Sequence, residues 1–288
     1  MTPSPSPEAV FGGRLLDEIR RRRPIIHHLA NFVTMNDVAA ATRAVGAMPI
    51  MAMSPAEVEE VAGRADALVI SLGTPTDDRL KAIDLAVTVA RRRGIPVIID
   101  PVGAGASGLR TERALAVIRA IPRPIIRANP AEAAALVGEA ADLRGVESIG
   151  AADPAALALK LVREGGVAVI TGRRDIITDG RRTLAVDNGH AWLAALPGAG
   201  CMATAVVGAF AAVGSGDAVT AAAAGIASFG LAAEQAAGRA RGPGTLKPAL
   251  LDALFAMTGR ELAAGMRCVP VTSPAAPPAP RRTTRAPR

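Results

Sequence analysis

The 288-residue chain is half apolar but only 2% aromatic, and it carries a formal net charge of +7. That length can bury a large core, in one large α/β domain or two small ones, and a core filled by Ala, Val, Ile and Leu suits many helices packed on a buried sheet of β-branched strands. No apolar run reaches the roughly 18 residues a membrane span needs, the opening MTPSPSPEAVFGG lacks the basic-then-apolar pattern of a secretory signal, and two cysteines make no disulfide framework, so a cytoplasmic protein without membrane contact is expected.

In chain order, the Pro-rich start reads as a disordered extension over residues 1–12, and the run Arg20 to Arg23 as a solvated helix end. The stretch 67–71 is a short apolar run that ends in the turn signal LGT. A helix-length segment, 76–94, leads to a second run, 96–100, which ends in DPVGAG. A third, 124–127, ends in ANPAE, and a fourth, 167–170, ends in TG. Between them Asp153-Pro154 reads as a helix start, with Asp as N-cap and Pro in the first turn. From Ala194 to about Ala264 the chain is Ala-rich and helical.

Apolar strands alternating with helices predict a parallel sheet covered on both faces. Right-handed crossovers put all the strand C-terminal ends on one side, where open sheets of this kind bind ligands. Asp100, Arg127, Asn129, Thr171 and Gly172 all fall at or just past such ends. No acid follows Glu261, and Arg267, Arg281, Arg282, Arg285 and Arg288 supply five of the positive charges. Residues 266–288 are therefore expected to be a disordered, solubilising tail. With one Trp and no Tyr there is no stacking platform for single-stranded nucleic acid, and no nucleic-acid partner is expected. The ordered part is expected to be one domain, 13–265.

The stretch PGAGCMATAVVGAF places a glycine turn before a helix. Gly198, Ala199 and Gly200 would let the backbone bend and let a ligand approach, while the unpaired first N–H groups of the helix form an anion hole. Cys201, at the start of that helix, is either a thiol whose pKa the dipole lowers or a small core residue. Asn129 and Glu132 lie three apart at a helix start, where they could hold Mg²⁺ through its waters or form a capping box. Arg127, two residues earlier, suits a triphosphate. Asp100 could bind a Mg²⁺ water or hydrogen-bond the glycine turn after it. Thr171 and Gly172 offer a hydroxyl and an N–H to a phosphate. His27, His28 and His190 have no metal-ligand spacing and read as core or surface residues.

In this order the motifs resemble the hydroxyethylthiazole kinase family of the ribokinase-like superfamily. The resemblance rests on NFVTMNDVAAATRAVGAMPIMA from Asn31, ISLGT from Ile70, IDPVGAGASGLRT from Ile99, IRANPAE from Ile126, ITGRRDIITDG from Ile170, DNGH from Asp187, PGAGCMATAVVGAF from Pro197 and GPGT from Gly242. It implies a three-layer ribokinase-like α/β fold with a mostly parallel central sheet. It also implies ATP- and Mg²⁺-dependent phosphorylation of the hydroxyl of 4-methyl-5-(2-hydroxyethyl)thiazole, a step towards thiamine. By that resemblance Met51, Gly198 and Asn31 would line the thiazole alcohol, Arg127 and Thr171 would meet the ATP phosphates, and Asn129, Glu132 and Asp100 would lie near Mg²⁺. Cys201 would occupy the position of the general base. A homotrimer with sites between subunits is implied as well. An ATP-dependent dehydratase of hydrated nicotinamide nucleotides shares similar nucleotide loops, but its late turn ends in Asp. A kinase of another small heteroaromatic alcohol is the milder alternative. The chain departs from the family pattern at Ala128, where Gly is usual, at Arg173 and Arg174, and at Pro197.

Overall fold

A computed structural model describes residues 4–139, 143–144, 147–148, 153–162, 166–214 and 216–271 of the chain. Helix α1 (Pro7–Arg22) leads into strand β1 (Ile25–Leu29), helix α2 (Met35–Val45), strand β2 (Met48–Ile50) and the short helix α3 (Val58–Ala62). Three strand–helix pairs follow: β3 (Ala67–Ser71) with α4 (Asp77–Arg93), β4 (Val97–Asp100) with α5 (Gly108–Ala120), and β5 (Ile125–Ala128) with α6 (Pro130–Leu136). A small hairpin, β6 (Leu143–Arg144) and β7 (Glu147–Ser148), precedes α7 (Pro154–Leu161) and strands β8 (Val167–Ile170), β9 (Asp175–Thr178) and β10 (Thr183–Val186). A 3₁₀ turn (Ala191–Ala195) opens the helical half: α8 (Ala199–Val213), α9 (Ala218–Ala237), α10 (Pro243–Ala256) and α11 (Gly259–Gly265), closed by β11 (Cys268–Pro270).

Nine strands form one sheet in the order β11-β10-β9-β8-β5-β4-β3-β1-β2. The six from β2 to β8 pair in parallel and the last three antiparallel. Strand alternation assigns the two faces. Val69, Ile98, Ile125 and Val167 point to a core shared with α8 and α9, while Leu68, Ile70, Val97 and Ile99 point to a second core under α4. Helices therefore cover both faces, as the sequence predicts. Ala fills the buried surfaces of α8 and α9, so these helices and the sheet pack with only Phe210 and Phe229 as buried aromatic rings in that core.

Two expected boundaries are corrected. Residues 7–12 are the first turns of α1, not an extension: Ser6 Oγ accepts the Ala9 N–H at 3.2 Å, Pro7 opens the helix, and Ala9 is buried. At the other end the domain runs past 265, because β11 pairs with β10 and buries Cys268. The expected tail from 272 onward lies outside the described residues. Of the run Arg20 to Arg23, Arg21, Arg22 and Arg23 are exposed at the end of α1, as expected, while Arg20 is half-buried. Its Nη2 donates to the Leu254 and Phe255 carbonyls at 3.1 and 2.9 Å, at the end of α10.

Candidate active site

The site is built on the C-terminal edge of the parallel strands. Asn31 follows β1, Ser71 ends β3, Asp100 ends β4, Arg127 lies near the end of β5 and Thr171 follows β8. The period of two puts Asp100 on the same face as Ile98 and Arg127 on the same face as Ile125, which is the face that α8 covers. The start of α8 therefore meets both charged side chains. Its N-cap, Gly198, has φ of +85°, and a Cβ there would sit 2.9 Å from Thr34 Cγ2. The helix begins at Ala199, so Cys201 is its third residue, not its first.

Arg127 organises the centre. Its Nη2 donates to Thr171 Oγ1 at 2.6 Å, and its Nη1 lies 3.8 Å from Asp100 Oδ1. Gly200 makes room for it: a Cβ on that residue would stand 2.5 Å from Nη1. One helical turn on, Thr204 Oγ1 donates to Asp100 Oδ2 at 3.0 Å and also faces the Gly200 carbonyl. Asp100 Oδ1, buried, has no hydrogen-bond donor among the described residues.

Asn129 and Glu132 do form the capping box. Asn129 Oδ1 accepts the Glu132 N–H at 2.8 Å, and Glu132 Oε2 accepts the Asn129 N–H at 3.0 Å. The other oxygen, Oε1, accepts the Gly103 N–H at 3.0 Å. Glu132 thus ties the start of α6 to the loop after β4. Burial holds the carboxyls of Asp100 and Glu132 above the usual range. For Glu132 the nearby Asp100 adds to this, while Arg127 opposes it for both. Asp175, buried at the start of β9, accepts the Gly172 N–H in the turn after β8 at 2.9 Å and is raised to about 7, mainly by burial.

Of the two readings of Cys201, the lowered thiol pKa is overturned. Burial, reinforced by the Asp100 charge, pushes the Cys201 thiol up to about 12, and the neighbouring Thr34, Arg127 and Asn31 recover only part of that. The helix N-terminus loses because the thiol is desolvated and faces a carboxylate. Asn31 Nδ2 reaches Cys201 Sγ at 3.4 Å and Ser71 Oγ at 3.1 Å, while its Oδ1 accepts the Val33 and Thr34 N–H groups. Cys268, the other free thiol, is also raised to about 12 by burial. Relative to an ordinary thiol at 9.0, each has roughly a thousandfold less thiolate at a given pH. We expect neither cysteine of the folded protein to react appreciably with iodoacetamide at pH 8, and both to react once denatured. Mass spectrometry of the alkylated chain checks this, and rapid single labelling at Cys201 would refute it.

Met51 stands apart from this group. It lies just past β2, half-buried, one strand from Asn31 and three from Asp100. Ala128 sits fully buried within β5, its carbonyl accepting the Thr171 N–H at 2.9 Å, and its φ is not positive, so the strand accepts Ala there. Arg174 turns away to pair with Asp187 at 2.6 and 2.7 Å, and Arg173 and Pro197 are exposed. His190 caps the 3₁₀ turn, while His27 and His28 are buried in β1. Sequence reasoning missed Thr204 and gave no role to Ser71. The spacing of four from Gly200 and the position at a strand end were their only signals.

A mostly parallel sheet between helical layers, with a helix N-terminus, a half-buried arginine and buried carboxylates at its C-terminal edge, is a ribokinase-like fold. It is shared with a ribokinase-like superfamily protein from Enterococcus faecalis V583, at 13% identity and a TM-score of 0.60 over 84% of this chain and 93% of that one. A family model described as the hydroxyethylthiazole kinase family matches residues 16–260. A hydroxyethylthiazole kinase from Desulforudis audaxviator (strain MP104C) is 48% identical over 254 residues, 88% of this chain and 93% of that one. The solved structure of the hydroxyethylthiazole kinase protein from Pyrococcus horikoshii OT3 is 34% identical, with a TM-score of 0.82 over 91% of this chain and 99% of that one. The chain belongs to the hydroxyethylthiazole kinase family.

Proposed function

We propose that this chain transfers the γ-phosphoryl group of ATP to the hydroxyl of 4-methyl-5-(2-hydroxyethyl)thiazole, a step towards thiamine, with the residues above in the following roles. The observation that carries this reading is the meeting of Arg127, Thr171 and the start of α8 over the buried Asp100. Arg127 and Thr171 bind phosphate oxygens, and the N–H groups at Gly198 and Gly200 receive the charge on the transferred group; Ala199 is lost from the expected anion hole, because its N–H donates to the Leu196 carbonyl at 3.1 Å. Asn31, Gly198 and, from the neighbouring strand, Met51 line the alcohol.

Two buried carboxylates face one arginine, and Asp100 Oδ1 lacks a donor, so the donor set fits a divalent cation. Mg²⁺ bound there would neutralise charge between the phosphates. Asp100 would hold it most directly. Both Glu132 oxygens already accept backbone N–H groups, so Glu132 and Asn129 would act through water. Cys201 occupies the base position as a neutral thiol. Phosphoryl transfer passes through a loose transition state, so orientation and charge neutralisation outweigh early proton removal.

Phe32 and Val33 beside Asn31 are 54% and 73% exposed, and Ile50 beside Met51 is exposed as well. Apolar surface at the rim of the alcohol site supports a homotrimer whose sites are completed by a neighbour. We further assign residues 4–271 to one domain and place the protein in the cytoplasm. No helix among the described residues is long and apolar enough to cross a membrane.

The test is ADP release with ATP, Mg²⁺ and the thiazole alcohol, with mass detection of the phosphorylated product and the Glu132→Ala variant alongside. Product should form with the native chain and fall by about 10–100-fold in the variant, as for residues that orient metal ligands. Undiminished turnover would leave Glu132 as a helix cap alone. Absence of product with ATP still bound would overturn the alcohol assigned.

A further inference from the structure

Behind Cys201 a small cavity of about 10 Å³ lies between β1, α2, β3, β4 and α8, and its wall includes His28, Ser71, Asp100, Cys201 and Thr204. That is room for one water molecule. The tautomer of His28 follows from its neighbours. Its Nε2 lies 3.0 Å from Thr42 Oγ1, and the single hydroxyl proton of Thr42 goes to the Val38 carbonyl at 2.8 Å. Thr42 therefore accepts from His28, which carries its proton on Nε2 and presents Nδ1 as a bare acceptor. Nδ1 is buried and has no partner among the described residues. Asp100 Oδ1 is a second buried acceptor in the same condition, since Thr204 serves only Oδ2. Ser71 Oγ accepts from Asn31 Nδ2, which leaves its own proton to give.

We propose that a single water occupies this cavity, donating to His28 Nδ1 and Asp100 Oδ1 and accepting from Ser71, and that through it His28 is a positioning residue for the Asp100 carboxylate. Two bare acceptors match the two protons of one water. With Oδ1 held from behind and Oδ2 held by Thr204, the carboxylate keeps a fixed orientation towards Arg127. Without the water, Oδ1 is left to the longer-range pull of Arg127, 3.8 Å away, and of the neighbouring Cys201 thiol.

The kinetic part rests on the kinase reading above; the structural part does not. A crystal structure of the ligand-free native protein should show an ordered water within about 3.2 Å of both acceptors. A cavity without density there overturns the proposal whatever the enzyme's substrate. Two variants then separate the water from the Thr42 contact. His28→Asn keeps an oxygen where Nδ1 stands and loses the bond to Thr42. His28→Gln keeps a donor for Thr42 and loses the acceptor. We expect His28→Gln to lower kcat by about tenfold with KM values nearly unchanged, and His28→Asn to stay near the native rate. The reverse order, or equal losses in both, overturns the positioning role. Thermal melts of both variants identify any loss that comes from unfolding.

Discussion

Replacing Arg127 with methionine should lower kcat/KM for ATP by about 10²–10³-fold, the usual cost of removing one donor to a developing phosphoryl or oxyanion charge. Arg127 is the only cation within 4 Å of Asp100 among the described residues, and it is clamped by Thr171 and by the space that Gly200 leaves. Two effects compete in the variant. Loss of the guanidinium removes the phosphate contact, and it leaves Asp100 buried without a counter-charge. Breaking a buried pair costs about 3–5 kcal/mol when the remaining charge persists. Here the Asp100 carboxyl is already raised by burial, so it takes up a proton and limits the loss. Activity should therefore fall far more than stability. Arg127→Lys keeps the charge but not the two-pronged geometry, and should fall between the native and methionine forms. Steady-state kinetics with varied ATP, read beside thermal melts, decides the matter; a variant within about threefold of native kcat/KM would reduce Arg127 to a structural role.

Gly200→Ala should separate folding from catalysis. As the second residue of α8, Ala is favoured over Gly by up to about 1 kcal/mol in helix propensity. The new Cβ, however, would lie 2.5 Å from Arg127 Nη1 and 3.0 Å from Cζ. The guanidinium is the end of a flexible side chain, so it yields and the helix does not. A displacement of about 1 Å in a positioning group can cost about 10²-fold in rate. The expected result is a melting temperature equal to or above that of the native protein, with kcat reduced by about that factor. Equal falls in stability and activity would mean that the helix, not the arginine, moved.

Strand ends carried most of the legible information. Asp100, Arg127 and Thr171 could be placed on one edge because apolar runs of four or five residues ended at them, and because parallel strands share a C-terminal side. The Asn129–Glu132 spacing named both a cap and a metal site. The cap is built into the structure. Thr204 escaped notice because its partner, Asp100, lies 104 residues away, and Asn31 meets Cys201 across 170. No local pattern reports such distances. The thiol of Cys201 shows the same limit with the sign reversed. A cysteine at a helix start argues for a lowered pKa, yet burial and the facing carboxylate raise it to about 12. The chain ends were misread because Pro-rich composition at 1–12 and a lack of acids after Glu261 say nothing about packing. Ser6 and Pro7 start a helix, and Cys268 adds a strand to β10.

By itself the sequence determined the class of fold, the family, four of the central parallel strands with the helices between them, and the edge on which chemistry would gather. The family follows from the resemblance of the motifs, and the rest from periodicity and from backbone rules that act over a few residues. Only the tertiary structure decided which side chains face one another, which of them are dry, and how each is charged as a result. Those properties depend on which atoms displace water around a group, and in this chain those atoms come from strands and helices as much as 170 residues apart.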